Sequence, residues 1–275
     1  MSRRLPWSLA VLLLAGLVSG CASSGAVRPD PWKQYCSAVA ATKLPSPAHL
    51  SRRLVAIVHS TPKLSWNPDG RVLMATFTHE DCQEKPITCP DQVGKSVQLT
   101  GETWLTAVPF LRDFCRQVPP ADLGLRLAER LGMPPSSARY YDVLVQVWVD
   151  PRAFFRPCAD PEVTDGECQL NLTTDAGAGT GCPWAGSFTG QTSAAFVKVS
   201  QAHLDWMCSN WTGSYTPPCQ SGTTDLPYPW TGLGYTWDWA ADNRDHHGES
   251  EFVAPTGTQV TVESVTPIAE YCRPK

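Results

Sequence analysis

Residues 140–168 read YYDVLVQVWVDPRAFFRPCADPEVTDGEC, and this stretch decides the fold class. From Val143 to Val149 every second residue is valine, interleaved with Leu144, Gln146 and Trp148. Successive side chains of a strand point to opposite faces. The valines therefore share one face, and Leu144, Gln146 and Trp148 share the other. Both faces are largely apolar, which places a strand over 142–149 inside a sheet rather than on its edge. Asp150-Pro151 ends it, because proline has no N–H to give to a ladder. The continuation to Cys168 is a proline- and acid-rich loop bracketed by Cys158 and Cys168. A rigid strand feeding a stapled polar loop is a common way to present a site. Asp160, Glu162, Asp165 and Glu167 supply the oxygens that calcium takes, but Pro161 interrupts them and no EF-hand spacing is present. Solvated charge around Arg156 is the default reading.

Working outward, the chain alternates short strand and helix signals. Leu54–His59 is a compact apolar run that reads as a buried strand. Residues 64–66 and 71–78 flank Asn67-Pro68-Asp69-Gly70, where proline presets φ and glycine takes φ > 0, so a hairpin is expected. Two further short strands, 96–100 and 103–108, surround Gly101-Glu102. Pro109 suits the first turn of a helix over 110–117. A second helix starts with Asp122 as N-cap, carries Leu123, Leu127 and Leu131 on one face, and stops at Gly132 and Pro134-Pro135. Residues 32–42 and 192–208 read as helices, 210–241 as irregular and aromatic-rich, and 259–265 as a closing strand. The expected class is α+β, with a mixed or antiparallel sheet and a few short helices, loop-rich and disulfide-stapled.

The N-terminus reads as an export signal. Arg3 and Arg4 precede an apolar run over 5–18, too short for the roughly 20 residues a membrane span needs. Leu17-Val18-Ser19-Gly20-Cys21 resembles the bacterial lipobox, which implies cleavage before Cys21 and a lipid on its sulfur; ordinary cleavage near Gly20 is the alternative. By the same resemblance, Ala22 after the cysteine favours the outer membrane. The expected organisation is a signal over 1–20, a flexible tether over 21–31 and a single domain over 32–275. A soluble periplasmic or secreted protein is the alternative location.

Eleven cysteines are present, and with Cys21 lipidated ten remain. An even number in an exported chain argues for disulfides. Spacing suggests local clips Cys82–Cys89, Cys158–Cys168 and Cys208–Cys219, leaving Cys36, Cys115, Cys182 and Cys272 for long-range pairs. No CxxC pair or nearby histidine spacing supports zinc. Without the signal the chain carries 20 basic and 26 acidic residues, a net charge of −6. Nothing there favours a nucleic-acid partner.

No sequence motif names an activity, and no cofactor is implied. Gly177–Gly181 is glycine-rich, yet no strand precedes it and Cys182-Pro183 follows, so it reads as a loop rather than a phosphate cradle. No GxSxG elbow exists; Gly186–Gly190 has phenylalanine where the nucleophile belongs. His79-Glu80-Asp81 lacks the second histidine of a zinc protease. The most suggestive clusters are Asp245–Glu251, read as a polar turn with His246, His247, Glu249 and Glu251, and the aromatic run holding Trp230, Tyr235, Trp237, Asp238 and Trp239. Together these nine residues form the possible ligand surface, since aromatic faces stack on sugar rings or partner side chains; packing against a core is the bland alternative.

Phe155-Arg156-Pro157-Cys158 with Asp160-Pro161-Glu162, and Pro229-Trp230 with Leu233-Gly234-Tyr235-Thr236 and Asp238-Trp239, resemble a family of exported bacterial proteins to which no activity is attached. The resemblance spans about 50–272 and implies that these segments form one unit, with no functional residue carried over. Three functional expectations follow. The first is a non-catalytic, membrane-tethered envelope protein that binds a protein partner or cell-wall glycan. The second is an envelope polysaccharide hydrolase using carboxylates among Asp238, Glu249 and Glu251. The third is a structural envelope component.

Overall fold

The computed structural model describes residues 29–176, 182–185 and 196–274. The signal segment, Cys21, most of the tether and the loop glycines Gly177–Gly181 and Gly186–Gly190 lie outside the described residues. The α-helices are α1 (Pro31–Thr42), α2 (Val108–Cys115), α3 (Leu123–Arg130), α4 (Ser137–Tyr140), α5 (Gln201–Tyr215) and α6 (Ile268–Tyr271). The strands are β1 (Val72–Thr78), β2 (Ser96–Gln98), β3 (Thr103–Ala107), β4 (Val143–Val149), β5 (Asn171–Thr173), β6 (Phe196–Lys198), β7 (Tyr235–Trp237), β8 (His247–Ala254) and β9 (Gln259–Pro267).

The chain is α+β, built on a seven-stranded sheet in the order β2-β9-β4-β1-β3-β8-β7, with every neighbouring pair antiparallel. The valine strand β4 lies inside it, paired with β1 from Val72↔Val149 to Thr78↔Val143 and with β9 on its other edge. Its two faces separate as the alternation requires. Val143, Val145, Val147 and Val149 join Met74, Leu105 and Phe252 in one core. Leu144 joins Leu73, Ala75 and Phe77 beneath Leu111 of α2 and Leu127 of α3. Two further clusters, one around Tyr35, Leu233 and Trp239 and one around Trp184, Leu204 and Trp230, extend the interior beyond the sheet.

The hairpin forms as expected: Asn67 N donates to Arg71 O, Trp66 bridges Val72, and Gly70 takes φ +74°. Four expectations are corrected. Leu54–His59 is not a strand; Leu54 and Ile57 are buried, but their amides donate to Gly166 and Val163 of the Cys158–Cys168 loop instead of a ladder. Asp122 does not cap α3; it ends a 3-10 turn in helical conformation and runs straight into the helix. The helix expected over 192–208 begins at Gln201, capped by Ser200, and runs on to Tyr215. Finally, in the expected turn over 246–251 only His246 keeps a turn-like positive φ, and from His247 onward the segment is the start of β8, an eight-residue strand that is buried almost throughout.

All ten cysteines beyond Cys21 are paired: Cys36–Cys219, Cys82–Cys89, Cys115–Cys272, Cys158–Cys168 and Cys182–Cys208. The expected Cys208–Cys219 clip is absent. Cys208 sits within α5, which carries the chain roughly 10 Å along its axis before it ends, at 1.5 Å per residue. Cys219 instead reaches Cys36 on α1. Among the described residues no helix is long and apolar enough to cross a membrane.

Candidate functional site

The acids of the Cys158–Cys168 loop are consumed by the loop itself. The Glu162 carboxylate accepts from the Thr164 and Asp165 amides, and the Asp165 carboxylate from the Glu167 amide. Arg156 is fully buried and donates to the carbonyls of Glu162, Asp165 and Val55, so it pins the loop to the 54–57 segment through backbone oxygens rather than carboxylates. Glu167 lies 3.8 Å from the Arg52 guanidinium at the surface. Among the described residues no three His, Cys, Asp or Glu side chains gather as metal ligands.

The residues read as a ligand surface are mostly interior. Trp230, Tyr235, Trp237, Asp238, Trp239, Glu249 and Glu251 are each buried, so they do not form a surface. The physical reason is that the aromatic run packs the gap between the sheet and α1, α3 and α5. Trp239 meets Tyr35 of α1 edge-on at 5.7 Å and donates its Nε1–H to Met133 O. His246 stacks on Trp237 at 4.7 Å, and His247 stacks on Tyr235 at 4.5 Å. With its proton on Nδ1, facing the Gly248 carbonyl, His247 accepts at Nε2 from the Ser51 hydroxyl, 2.7 Å away. Burial is the first cause that lowers the affinity of this imidazole for a second proton, and the Arg53 guanidinium adds to it.

Two of the three carboxylates are neutralised by arginines of α3. Arg126 grips Asp238, and Arg130 donates Nε–H to Glu249 at 2.7 Å and also approaches Asp238 at 3.6 Å. Arg126 and Arg130 both lie over the ring of Phe114 on α2. Burial pushes the Glu249 carboxyl up, against the pull of Arg130. This network locks α3 to β7 and β8, and neither carboxylate reaches open space. A two-carboxylate hydrolytic cleft would need both facing one another across a substrate channel.

Glu251 is different. It sits on β8 opposite Thr106 of β3, which in turn sits opposite Ala75 of β1. Directly opposed residues share a face with Cβ atoms about 5 Å apart, so Glu251 and Thr106 stand side by side. Both line a cavity of about 810 Å³. Its floor is β1, β3 and β8. One wall is Leu111 with 131–133 and Tyr141, and the other is the end of α5 with 225–230. Trp104, Trp230, Trp237, Tyr141 and Tyr228 give it aromatic faces. Three buried polar atoms in this lining have no hydrogen-bond partner in the protein: Glu251 Oε2, Thr106 Oγ1 and Trp230 Nε1. Burial alone pushes the Glu251 carboxyl up to about 8, because the charged form is poorly solvated there. Near pH 7 it is therefore a neutral acid that can both donate and accept.

Three of the nine anticipated residues, Trp230, Trp237 and Glu251, thus reach one cavity, while Tyr235 and His247 line a second pocket beside Ser51 and Arg53. Thr106, Trp104 and Tyr141 were not anticipated, whereas Tyr228 belongs to the aromatic run read from the sequence. Only alternation along β3 pointed to Thr106, and it marks a face rather than a function. Comparison with protein-family models, with curated proteins and with solved structures finds no match for this chain.

Proposed function

We propose that the protein is a non-catalytic envelope lipoprotein, tethered through Cys21, whose cavity holds a segment of cell-wall or surface glycan. The observation that carries this reading is the trio Glu251 Oε2, Thr106 Oγ1 and Trp230 Nε1, buried and unpartnered within one aromatic-lined cavity. An unsatisfied buried polar group costs about 1–3 kcal/mol, so three in one lining favour a ligand that brings its own hydrogen bonds. A sugar ring offers an apolar C–H face to tryptophan and hydroxyls that donate and accept at its rim. The volume lies within the usual 300–1,000 Å³ of ligand pockets. The tether supports the location: α1 begins at Pro31, so about nine residues after Cys21 span at most roughly 30 Å. The protein-partner alternative has less support, because the large apolar side chains exposed among the described residues, such as Leu44, Val93 and Tyr140, come from separate segments of the chain.

The test is titration of the mature protein with soluble peptidoglycan and envelope polysaccharide fragments, followed by tryptophan fluorescence. Saturable binding, weakened by Thr106→Val and by Trp230→Phe, is expected. No binding by any fragment would sink the reading. Separately, Cys21→Ser should release the protein from membranes on fractionation, and unchanged fractionation would sink the anchor.

A further inference from the structure

The charged lining of the cavity has a strong bias of sign. Glu84, Glu102 and Asp225 line its mouth and Glu251 its floor, with Lys85 the one basic side chain in the described lining. Glu102 receives the indole N–H of Trp206 at 2.6 Å, which fixes it in place without neutralising it. Glu251 is buried, its Oε2 has no partner, and no arginine of the α3 network reaches it as Arg130 reaches Glu249. Aromatic faces surround the same space, and they attract a cation through the ring quadrupole. A ligand ammonium within hydrogen-bond reach would meet this buried, unpartnered carboxyl oxygen with a charge-assisted bond.

Resting on the carbohydrate reading above, we propose that the cavity selects an amino sugar with a free amine, a hexosamine unit of a polysaccharide lacking its N-acetyl groups, with the ammonium paired to Glu251. The sugar face stacks on tryptophan, the Thr106 hydroxyl and the Trp230 indole N–H take ring hydroxyls, and the acids at the mouth draw in a cationic chain. N-acetylation removes the positive charge and adds bulk at the paired position, so the acetylated sugar keeps the stacking and loses the ion pair.

Calorimetric titration of the full mature protein with three β-1,4-linked trisaccharides separates the possibilities: glucosamine, N-acetylglucosamine and glucose. The glucosamine trisaccharide is expected to bind at least about tenfold more tightly than the other two, a difference of about 1.4 kcal/mol. Glu251→Gln keeps the size and removes the carboxyl, which gives up its proton to solvent when the ammonium pairs with it. It should bring the three affinities together by weakening glucosamine binding, with the N-acetylated trisaccharide held as in the wild type. Equal affinities for all three in the wild type would overturn the amine preference and leave the glycan reading standing. Binding of none of them would overturn both. Because the ranking in the wild type is itself decisive, the result stands even if the variant folds poorly.

Discussion

Arg126 holds the Asp238 carboxylate with two parallel hydrogen bonds, Nη1 to Oδ1 at 3.0 Å and Nη2 to Oδ2 at 2.7 Å. The two residues come from α3 and from the segment after β7, and Asp238 is fully buried. Removing one partner of such a pair strands the other charge in the interior, at about 3–5 kcal/mol. Arg126→Ala should therefore lose stability of that order in guanidinium unfolding. The double variant Arg126→Met/Asp238→Leu should recover much of the loss, since neither charge is left unpaired. A single variant within about 0.5 kcal/mol of wild type would show that the pair is not a structural lock.

The valine strand announced itself because both of its faces are apolar and its signal is local. β8 did not, and its composition explains why. His247-Gly248-Glu249-Ser250-Glu251 is polar and glycine-bearing, the signature of a turn. It becomes a buried strand only because distant residues satisfy it: Arg130 meets Glu249, the Ser250 hydroxyl receives the Val55 amide, and the Gly234 carbonyl receives the Glu251 amide. None of those partners is within reach of a periodicity argument. The cavity was hidden for the same reason. Glu251 was noticed as a carboxylate near aromatics, but it lacks an arginine because the two α3 arginines reach Asp238 and Glu249 instead. Cysteine pairing departed from expectation at one point only, where α5 runs on to Tyr215 and so separates Cys208 from Cys219.

Glu251 makes stability depend on pH in an unusual direction. Its carboxyl is pushed up to about 8 in the folded protein, against about 4.5 for the unfolded chain. Between those values the folded state holds a proton that the unfolded state has lost. Unfolding then releases a proton, and stability falls by about 1.4 kcal/mol per pH unit as pH rises, levelling off above pH 8. Glu251→Gln removes this slope, so the variant should gain on the wild type steadily from pH 5 to pH 8. Denaturation curves at three pH values would check it, and parallel pH dependence in both proteins would contradict the burial of an unpaired acid.

The Cys115–Cys272 bond ties α2 to the C-terminal end of the chain across 157 residues. Both sulfurs lie in the core under Leu111 and Leu127. Cross-links over long loops restrict the unfolded chain most, and loss of a native one typically costs about 2–5 kcal/mol. Cys115→Ala/Cys272→Ala should lower the midpoint of thermal unfolding by more than Cys82→Ala/Cys89→Ala, whose loop spans only seven residues. Equal shifts for the two pairs would mean that local packing, rather than loop closure, sets the effect.

Gly248 carries the tightest approach along β8. A Cβ there would lie 2.1 Å from Thr236 Oγ1, 2.4 Å from Thr236 O and 2.5 Å from Arg130 O. Two of those atoms are backbone and cannot rotate away. The Thr236 hydroxyl is itself engaged, donating to Arg130 O and accepting from the Glu249 amide, both at 2.8 Å. Gly248→Ala must push the end of α3 off β7 and β8, which disturbs the Arg126–Arg130 network and the Thr236 wall of the cavity together. A loss of about 2–4 kcal/mol is expected, in the range of overpacked and broken-network variants, with weaker glycan binding alongside it. Gly213 provides the contrast: it lies in α5 with nothing within 4 Å of a built Cβ. Gly213→Ala should leave the fold intact and gain up to about 1 kcal/mol from helix propensity. If unfolding measurements showed the two substitutions to be equivalent, the close packing of β8 against α3 would be wrong.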